Sequence, residues 1–123
     1  MGRIHVQYMC LLYFEEVQLD QGVRESCYEE SAKFAQDLHA KGKFVAAGPL
    51  QPTSTATSLR HDNGKTLVTD GPFAETREQL GGFFIINAKD LDEAISIASK
   101  IPGGRYGTVE IRPMIEVASL PKV

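Results

Sequence analysis

Asp70 opens the tetrapeptide Asp70-Gly71-Pro72-Phe73 and is the first candidate for chemistry in this sequence. A glycine followed by a proline predicts a tight turn directly after a β-prone stretch. A carboxylate at the end of a strand can face a cleft, where it can act as a general base or bind a cation. The same side chain can instead bond the N–H groups of the turn as an Asx turn, which is a structural role. Both interpretations stay open on the sequence alone.

The residues after this turn combine an aromatic ring with charged side chains. Phe73 can line an apolar pocket. Glu75 and Arg77 can hold an anionic ligand, because a guanidinium matches a carboxylate in a two-pronged geometry. The alternatives are a core position for Phe73 and a solvated polar helix over residues 75–80 with local ion pairs. We take all three residues as candidate ligand-binding groups.

Arg105 and Tyr106 follow the glycine pair Gly103-Gly104 and are predicted to lie in a loop. They add a cationic and a phenolic side chain to the candidate ligand-binding set. Their alternative location is the rim of a dimer interface.

The remaining reactive groups lack the spacing that metal and cofactor sites need. Cys10 and Cys27 form no CxxC or Cys/His pattern. Both fall on apolar stripes, which predicts buried reduced thiols, with a disulfide or a nucleophile as alternatives. No phosphate-binding glycine loop or nucleophile elbow occurs. We therefore expect no metal and no cofactor.

The three histidines are weak candidates for catalysis. His39 is predicted near the carboxyl end of a helix, where an exposed cation is favoured by the helix dipole. His5 is predicted at the start of one strand and His61 at the end of another.

The length and net charge of the chain limit the classes of protein to which it can belong. A chain of 123 residues and 13.5 kDa is the usual size of one domain, so we expect a single domain over residues 1–123. A net charge of −3 argues against a protein that binds the phosphate backbone of nucleic acids, because such proteins are usually basic. The longest apolar runs, such as residues 83–86, are too short to span a membrane. Without an apolar block at the N-terminus, we expect a cytoplasmic location.

Periodicity predicts the elements of the first half of the chain. Residues 4–14 alternate as a strand, and Ser26-Cys27-Tyr28-Glu29 has the form of a capping box that starts a helix. Gly42 is expected to end this helix, and residues 44–50 form a short strand. Asn63-Gly64 predicts a hairpin between strands over about 56–61 and 65–70.

The second half repeats the order strand, helix, strand. Residues 83–88 form a central strand, and Asp90 with Glu93 caps a helix whose apolar face includes Ile97. The last strand is predicted to run to about Val117, at an edge or with a bulge, because Pro113 cannot donate to a ladder.

This order predicts an α+β, ferredoxin-like βαββαβ fold with a hairpin insertion. Both helices would cover one face of an antiparallel sheet. The opposite face includes Met9, Leu11 and Tyr13, which are too apolar to leave in water. Pairing two such faces across a two-fold axis predicts a homodimer.

The stretch from Thr66 to Phe83, TLVTDGPFAETREQLGGF, resembles the signature of the DGPF branch of the YCII-related family. Flanking segments that also resemble this branch are Gln51-Pro52, residues 55–60, residues 101–107 and residues 109–113. The resemblance extends over roughly residues 6–116.

The resemblance implies a dimeric α/β barrel, in which two sheets enclose a cleft. We expect a small organic ligand, either neutral or anionic, in this cleft, and a cofactor-free acid/base isomerase or lyase reaction is one hypothesis for its use. Asp70 would act as the base, with Arg77 or Arg105 assisting. The alternative is a non-catalytic regulatory partner of extracytoplasmic-function sigma factors, since the branch is similar to proteins encoded beside them.

One position departs from the family pattern. Some smaller relatives carry a histidine on the first helix, thought to pair with an aspartate. Counting back from Ala47-Gly48-Pro49 places that histidine at Ser31. The departure puts a histidine–aspartate mechanism in doubt.

Overall fold

The computed structural model describes residues 6–121, in which strands and helices alternate along the chain. His5 and the predicted start of the first strand at residue 4 lie outside these residues. The strands and α-helices are β1 (Val6–Phe14), α1 (Gln21–Ala40), β2 (Phe44–Pro49), β3 (Thr57–Asp62), β4 (Lys65–Asp70), β5 (Gln79–Ala88), α2 (Leu91–Ala98) and β6 (Gly107–Pro113). Short 3₁₀ turns occupy Glu16–Gln18, Thr53–Thr55 and Pro102–Tyr106.

Four of the strands form one antiparallel sheet in the order β2-β5-β1-β6, and β3 and β4 form a separate two-stranded sheet. With the hairpin set aside, this is the strand order of the ferredoxin-like fold. The predicted α+β, ferredoxin-like class with a hairpin insertion is confirmed. The strand β6 lies at the edge of the sheet, which is one of the two arrangements predicted from Pro113.

The core lies between this sheet and the two helices. Alternate residues of β1 are buried, among them Cys10 and Leu12, and Phe84 and Ile86 of β5 lie on the same face. The helices contribute Leu38, Ala94, Ile97 and Ala98, and Ile101, which follows the end of α2, is buried with them. The predicted apolar face of α2 is therefore confirmed.

The start of α1 was predicted too late. The helix begins at Gln21, where the Asp20 side chain accepts a hydrogen bond from the Val23 N–H at 2.9 Å. Ser26 lies inside the helix and is exposed. An acidic N-cap satisfies the free N–H groups of the first turn as well as a serine does, so the earlier cap prevails. The predicted end is confirmed, since Gly42 adopts a φ of 73° just after the last turn.

The hairpin forms as predicted. Asn63 and Gly64 have φ values of 49° and 77°, which are typical of a two-residue turn that matches strand twist. Its side chains differ from those of the main sheet, because Leu59, Leu67 and Val68 are all exposed.

Two predicted elements were wrong. Residues 75–78 bend instead of forming a helix, because the Thr76 hydroxyl donates to the Glu78 carbonyl and the Gln79 amide donates to the Thr76 carbonyl, both at 2.6 Å. Such local bonds compete with helical ones. The last strand ends at Pro113, and Ile115 beyond it is 87% exposed.

Candidate functional site

A cavity of about 290 Å³ lies between residues 24–35 of α1 and the helix-covered face of the sheet. Apolar and small side chains predominate in its lining. The lining residues are Leu12, Phe14, Leu19, Arg24, Cys27, Tyr28, Ser31, Ala32, Ala35, Phe44, Ala47, Gly48, Pro49, Gly81, Gly82, Phe83, Phe84, Gly103 and Tyr106.

Gly81 and Gly82 line the cavity and are required by close packing. A Cβ on Gly81 would lie 2.0 Å from the Phe14 ring, and one on Gly82 would lie 3.0 Å from the Gly48 carbonyl oxygen. The contact at Gly81 would force the Phe14 ring to move, and the contact at Gly82 is tighter than most Cβ contacts with a backbone oxygen, so glycine lets the strands and the Phe14 ring approach.

Arg24 is the charged residue among those that line the cavity. Its Nε donates to the Leu19 carbonyl at 3.3 Å, and its Nη2 donates to the Glu16 carbonyl at 3.0 Å. The guanidinium carbon lies 5.9 Å from the centre of the Phe14 ring. These contacts hold a half-buried cation at the cavity.

The Glu16 side chain does not neutralise this cation. Its two carboxylate oxygens accept bonds from the Thr53 N–H at 2.8 Å and the Thr53 hydroxyl at 2.9 Å. Within residues 6–121, no carboxylate forms an ion pair with Arg24.

The cysteines differ in their surroundings. Both are free, as predicted, but only Cys10 is buried. Burial raises the pKa of the Cys10 thiol to about 11. Cys27 is half-buried at the cavity, with its Sγ 4.0 Å from the Ser31 hydroxyl, so the prediction of burial was wrong for Cys27.

Ser31 belongs to the cavity lining. The position where the family resemblance places a histidine therefore faces the same space as Arg24 and Cys27. A serine there offers a hydroxyl but no base of suitable pKa.

Asp70, the predicted base, is the exposed last residue of β4 and is not part of the cavity lining. Its carboxylate accepts no hydrogen bond from residues 6–121. The turn is held instead by the Gly71 N–H, which donates to the Ala56 carbonyl at 2.7 Å, and by the Ser58 hydroxyl, which donates to the Gly71 carbonyl at 2.7 Å. An Asx turn at Asp70 is not formed.

The other candidates near Asp70 are on the surface. Phe73 is 84% exposed. Glu75 is exposed and lines a second, more open depression together with Thr53, Gly71 and Pro72.

Arg77 and Arg105 each have a carboxylate partner. The Arg77 Nε lies 2.8 Å from a Glu15 oxygen, and this hydrogen bond lowers the pKa of Glu15. The Arg105 Nη2 lies 2.5 Å from a Glu30 oxygen, and this hydrogen bond raises the pKa of Arg105. The guanidinium carbon of Arg105 is 5.3 Å from the centre of the Tyr106 ring. Local ion pairs were the alternative to anion binding for Arg77.

Of the six residues proposed from the sequence, the structure brings only Tyr106 to the cavity. Arg24 was missed, although a signal existed. Arg24, Cys27, Ser31 and Ala35 recur at helical spacing, so extending the apolar stripe of α1 by one turn would have put Arg24 on its inner face.

Neither a metal cluster nor a membrane span is found in the part of the chain that the structure describes. Residues 6–121 contain no group of three or more His, Cys, Asp or Glu side chains that could hold a metal ion. No helix among them is long and apolar enough to cross a membrane. His39 and His61 are exposed.

Two comparisons with known proteins give matches. The sequence profile of the YCII-related domain matches residues 6–118. The uncharacterised protein R00369 of Rhizobium meliloti (strain 1021) is 43% identical, over an alignment that covers 70% of this chain and 77% of the relative. The profile match spans nearly the whole chain, and the chain therefore belongs to the YCII-related family.

Proposed function

We propose that this protein binds a small, largely apolar organic molecule in the cavity between α1 and the sheet. The observation that carries the proposal is the 290 Å³ of space lined mainly by apolar side chains. Ligand sites in proteins are typically apolar clefts with a few polar groups that fix orientation. Cys27, Tyr28 and Ser31 supply such groups beside Arg24.

The volume indicates the size of the ligand. A cavity of roughly 150 Å³ lined by apolar side chains holds one benzene molecule. The space here is 290 Å³, so a two-ring aromatic compound or a medium-length acyl chain matches it.

A thermal-shift screen with such compounds tests the proposal, because a ligand that binds only the native state raises the unfolding midpoint. A ligand at 100 times its Kd adds about 2.7 kcal/mol to the free energy of unfolding. Ala32→Phe is the blocking variant, since Ala32 lines the cavity from an exposed position on α1. Ala40→Phe is its matched control, because Ala40 is also exposed on α1 but lies outside the lining.

The expected result is a shift in the wild type and in Ala40→Phe that is lost in Ala32→Phe. Hits that shift all three proteins equally bind elsewhere, and this outcome would reject the cavity as the site.

We also infer a homodimer, as in the dimeric barrels that the DGPF branch forms. The sheet face opposite the helices carries half-buried Met9, Leu11 and Ile85. In the register of β6, Glu110 lies opposite Leu11 and Arg112 lies opposite Met9. An apolar centre with charges of both signs at one edge suits a second copy of the same face. Light scattering is expected to give the mass of two chains, and Leu11→Lys is expected to give one; a wild-type monomer at micromolar concentration would refute the dimer.

A second candidate function is a protein-binding module for an extracytoplasmic-function sigma factor. The exposed Leu59 and Val68, which lie opposite each other in the register of the hairpin, favour it, because exposed apolar side chains that lie together often mark protein contacts. Size-exclusion chromatography of the chain mixed with such a sigma factor is the test. Co-elution that Leu59→Lys abolishes would support this function, and separate elution of the two proteins would exclude it.

A further inference from the structure

Arg24 differs from Arg77 and Arg105 in what neutralises its charge. Arg77 pairs with Glu15 and Arg105 with Glu30, so neither charge is free to attract a ligand. Arg24 is half-buried at an apolar cavity, and its described hydrogen bonds go to carbonyl oxygens, which carry no net charge. A positive charge in such surroundings lacks a counter-ion.

We propose that Arg24 is the anion-binding residue of the cavity and that the ligand is a carboxylate with an apolar body. This inference rests on the proposed binding function and adds the chemical class of the ligand. A partly desolvated cation attracts an anion more strongly than one in water. A guanidinium also recognises the planar carboxylate by two parallel hydrogen bonds.

The hydrogen bonds of Arg24 fix its guanidinium in advance. Nε donates to the Leu19 carbonyl and Nη2 donates to the Glu16 carbonyl. Nη1 makes no hydrogen bond within residues 6–121. The group is therefore positioned before a ligand arrives, which lowers the entropic cost of binding.

The neighbouring groups suit the rest of such a ligand. The Phe14 ring lies against the guanidinium, and Leu12, Ala35 and Phe84 provide apolar walls for the body. Tyr28 and Ser31 add hydroxyl donors beside the charged end.

Matched pairs of probes separate the charge from the apolar body. We suggest 2-naphthoate with 2-naphthalenemethanol, and octanoate with octanol, measured by isothermal titration calorimetry at low salt. The acids are expected to bind at least about tenfold more tightly than the alcohols, the effect of one charge-assisted hydrogen-bonded pair. Naphthalene-2-sulfonate and inorganic phosphate show whether a carboxylate is needed or any oxyanion suffices: the sulfonate is expected to bind more weakly than the carboxylate, and phosphate alone is expected not to bind.

Arg24→Gln removes the charge but keeps an amide donor for the Leu19 carbonyl. This variant is expected to bind the alcohols as the wild type does and to lose the preference for the acids. Arg24→Lys retains the charge without the two-pronged geometry and is expected to keep part of the preference. Arg60→Gln on the exposed hairpin is the matched control for loss of one positive charge and is expected to change neither affinity.

The outcomes distinguish the two proposals. Equal affinities of the wild type for acid and alcohol, or an acid preference that survives in Arg24→Gln, would overturn the role of Arg24 and leave the cavity as a neutral binding site. An equal loss of acid and alcohol binding in Arg24→Gln would assign Arg24 a structural role and overturn the inference. Failure of every probe to bind the wild type would overturn the proposed function and this inference with it. Tighter binding of the sulfonate than of the carboxylate would overturn the assigned ligand class.

Discussion

The four-stranded sheet and the β3–β4 hairpin are both antiparallel, yet the sheet buries many of its side chains and the hairpin leaves most of its side chains exposed. In the sheet, Cys10 and Ile86 have no exposed surface and pack against the helices. In the hairpin every residue of β4 is exposed, and Val68 is 65% exposed. Strand pairing alone therefore does not make a core. It is the cover supplied by α1 and α2 that gives the sheet both its stability and its cavity.

The hairpin depends on its turn and on its base. Two-stranded hairpins are marginally stable by themselves in water. Here the turn requires positive φ angles, which Asn63 and Gly64 adopt. At the other end, two hydrogen bonds that involve the Gly71 backbone hold the base of the hairpin. We expect the hairpin to open without the rest of the molecule unfolding.

The largest difference between the two regions should appear on side-chain truncation. Ile86→Ala deletes buried methyl groups and leaves a cavity, so the free energy of unfolding is expected to fall by roughly 2–5 kcal/mol. Val68→Ala, the matched hairpin variant, is expected to change it by less than about 0.5 kcal/mol. Urea denaturation measures both values. A loss in Val68→Ala similar to that in Ile86→Ala would show that the hairpin is covered in solution, as a dimer contact would cause.

Substitution in the turn tests whether the hairpin opens independently. Gly64 has a φ of 77°, so Gly64→Ala costs about 1–2 kcal/mol in the folded hairpin. Hydrogen exchange of the β3 and β4 amides is expected to accelerate about 5- to 30-fold, while β5 amides change less. Gly64→Asn is the control, because asparagine adopts this backbone more readily. Equal acceleration in β4 and β5 would mean that the hairpin and the sheet unfold as one unit.

Acid sensitivity should involve the helix-covered region through Glu93. Its carboxylate accepts the Lys89 N–H at 2.9 Å and lies 3.1 Å from the Lys43 ammonium, and the backbone bond is the main cause of its lowered pKa. A group whose pKa is lower in the folded than in the unfolded state stabilises the fold above its unfolded value of 4.5 and loses that contribution as the pH falls through the folded value. Glu93→Gln is expected to be less stable than the wild type at pH 7 and to approach it below pH 4.5. A stability difference that stays constant with pH would contradict this linkage.

The smallest effect is expected at Asp70. The carboxylate is exposed and accepts no hydrogen bond from residues 6–121, so Asp70→Asn is expected to leave the melting temperature nearly unchanged. Binding of 2-naphthoate in the cavity should also be unchanged. If the asparagine variant keeps its stability but loses binding or turnover, Asp70 acts as a base or anchor, as its position in the sequence first suggested.

Local signals explain what the sequence predicted well. Alternation in β1, the Asn63-Gly64 turn and the Asp90 cap act within a few residues, and each is present in the structure. Pro113 predicted that β6 lies at an edge or is bulged, and the structure shows the edge position.

The features that the sequence did not predict depend on contacts that form only in the folded chain. The cavity arises where α1 packs over β1, β2 and β5, and no short segment encodes that arrangement. Arg24 looked like an ordinary surface charge because its partners, the carbonyls of Glu16 and Leu19, belong to a 3₁₀ turn and its flank that periodicity does not reveal. The bend at residues 75–78 depends on side-chain to backbone bonds from Thr76 and Gln79, which compete with helix formation only in the folded loop.

A crystal structure of the protein with 2-naphthoate bound tests the central claim most directly. We predict that the naphthalene rings lie in the cavity between α1 and the sheet and that the carboxylate is within hydrogen-bond distance of the Arg24 guanidinium. A ligand bound instead at the Asp70–Arg77 loop, or in the cavity with its carboxylate turned away from Arg24, would contradict the account.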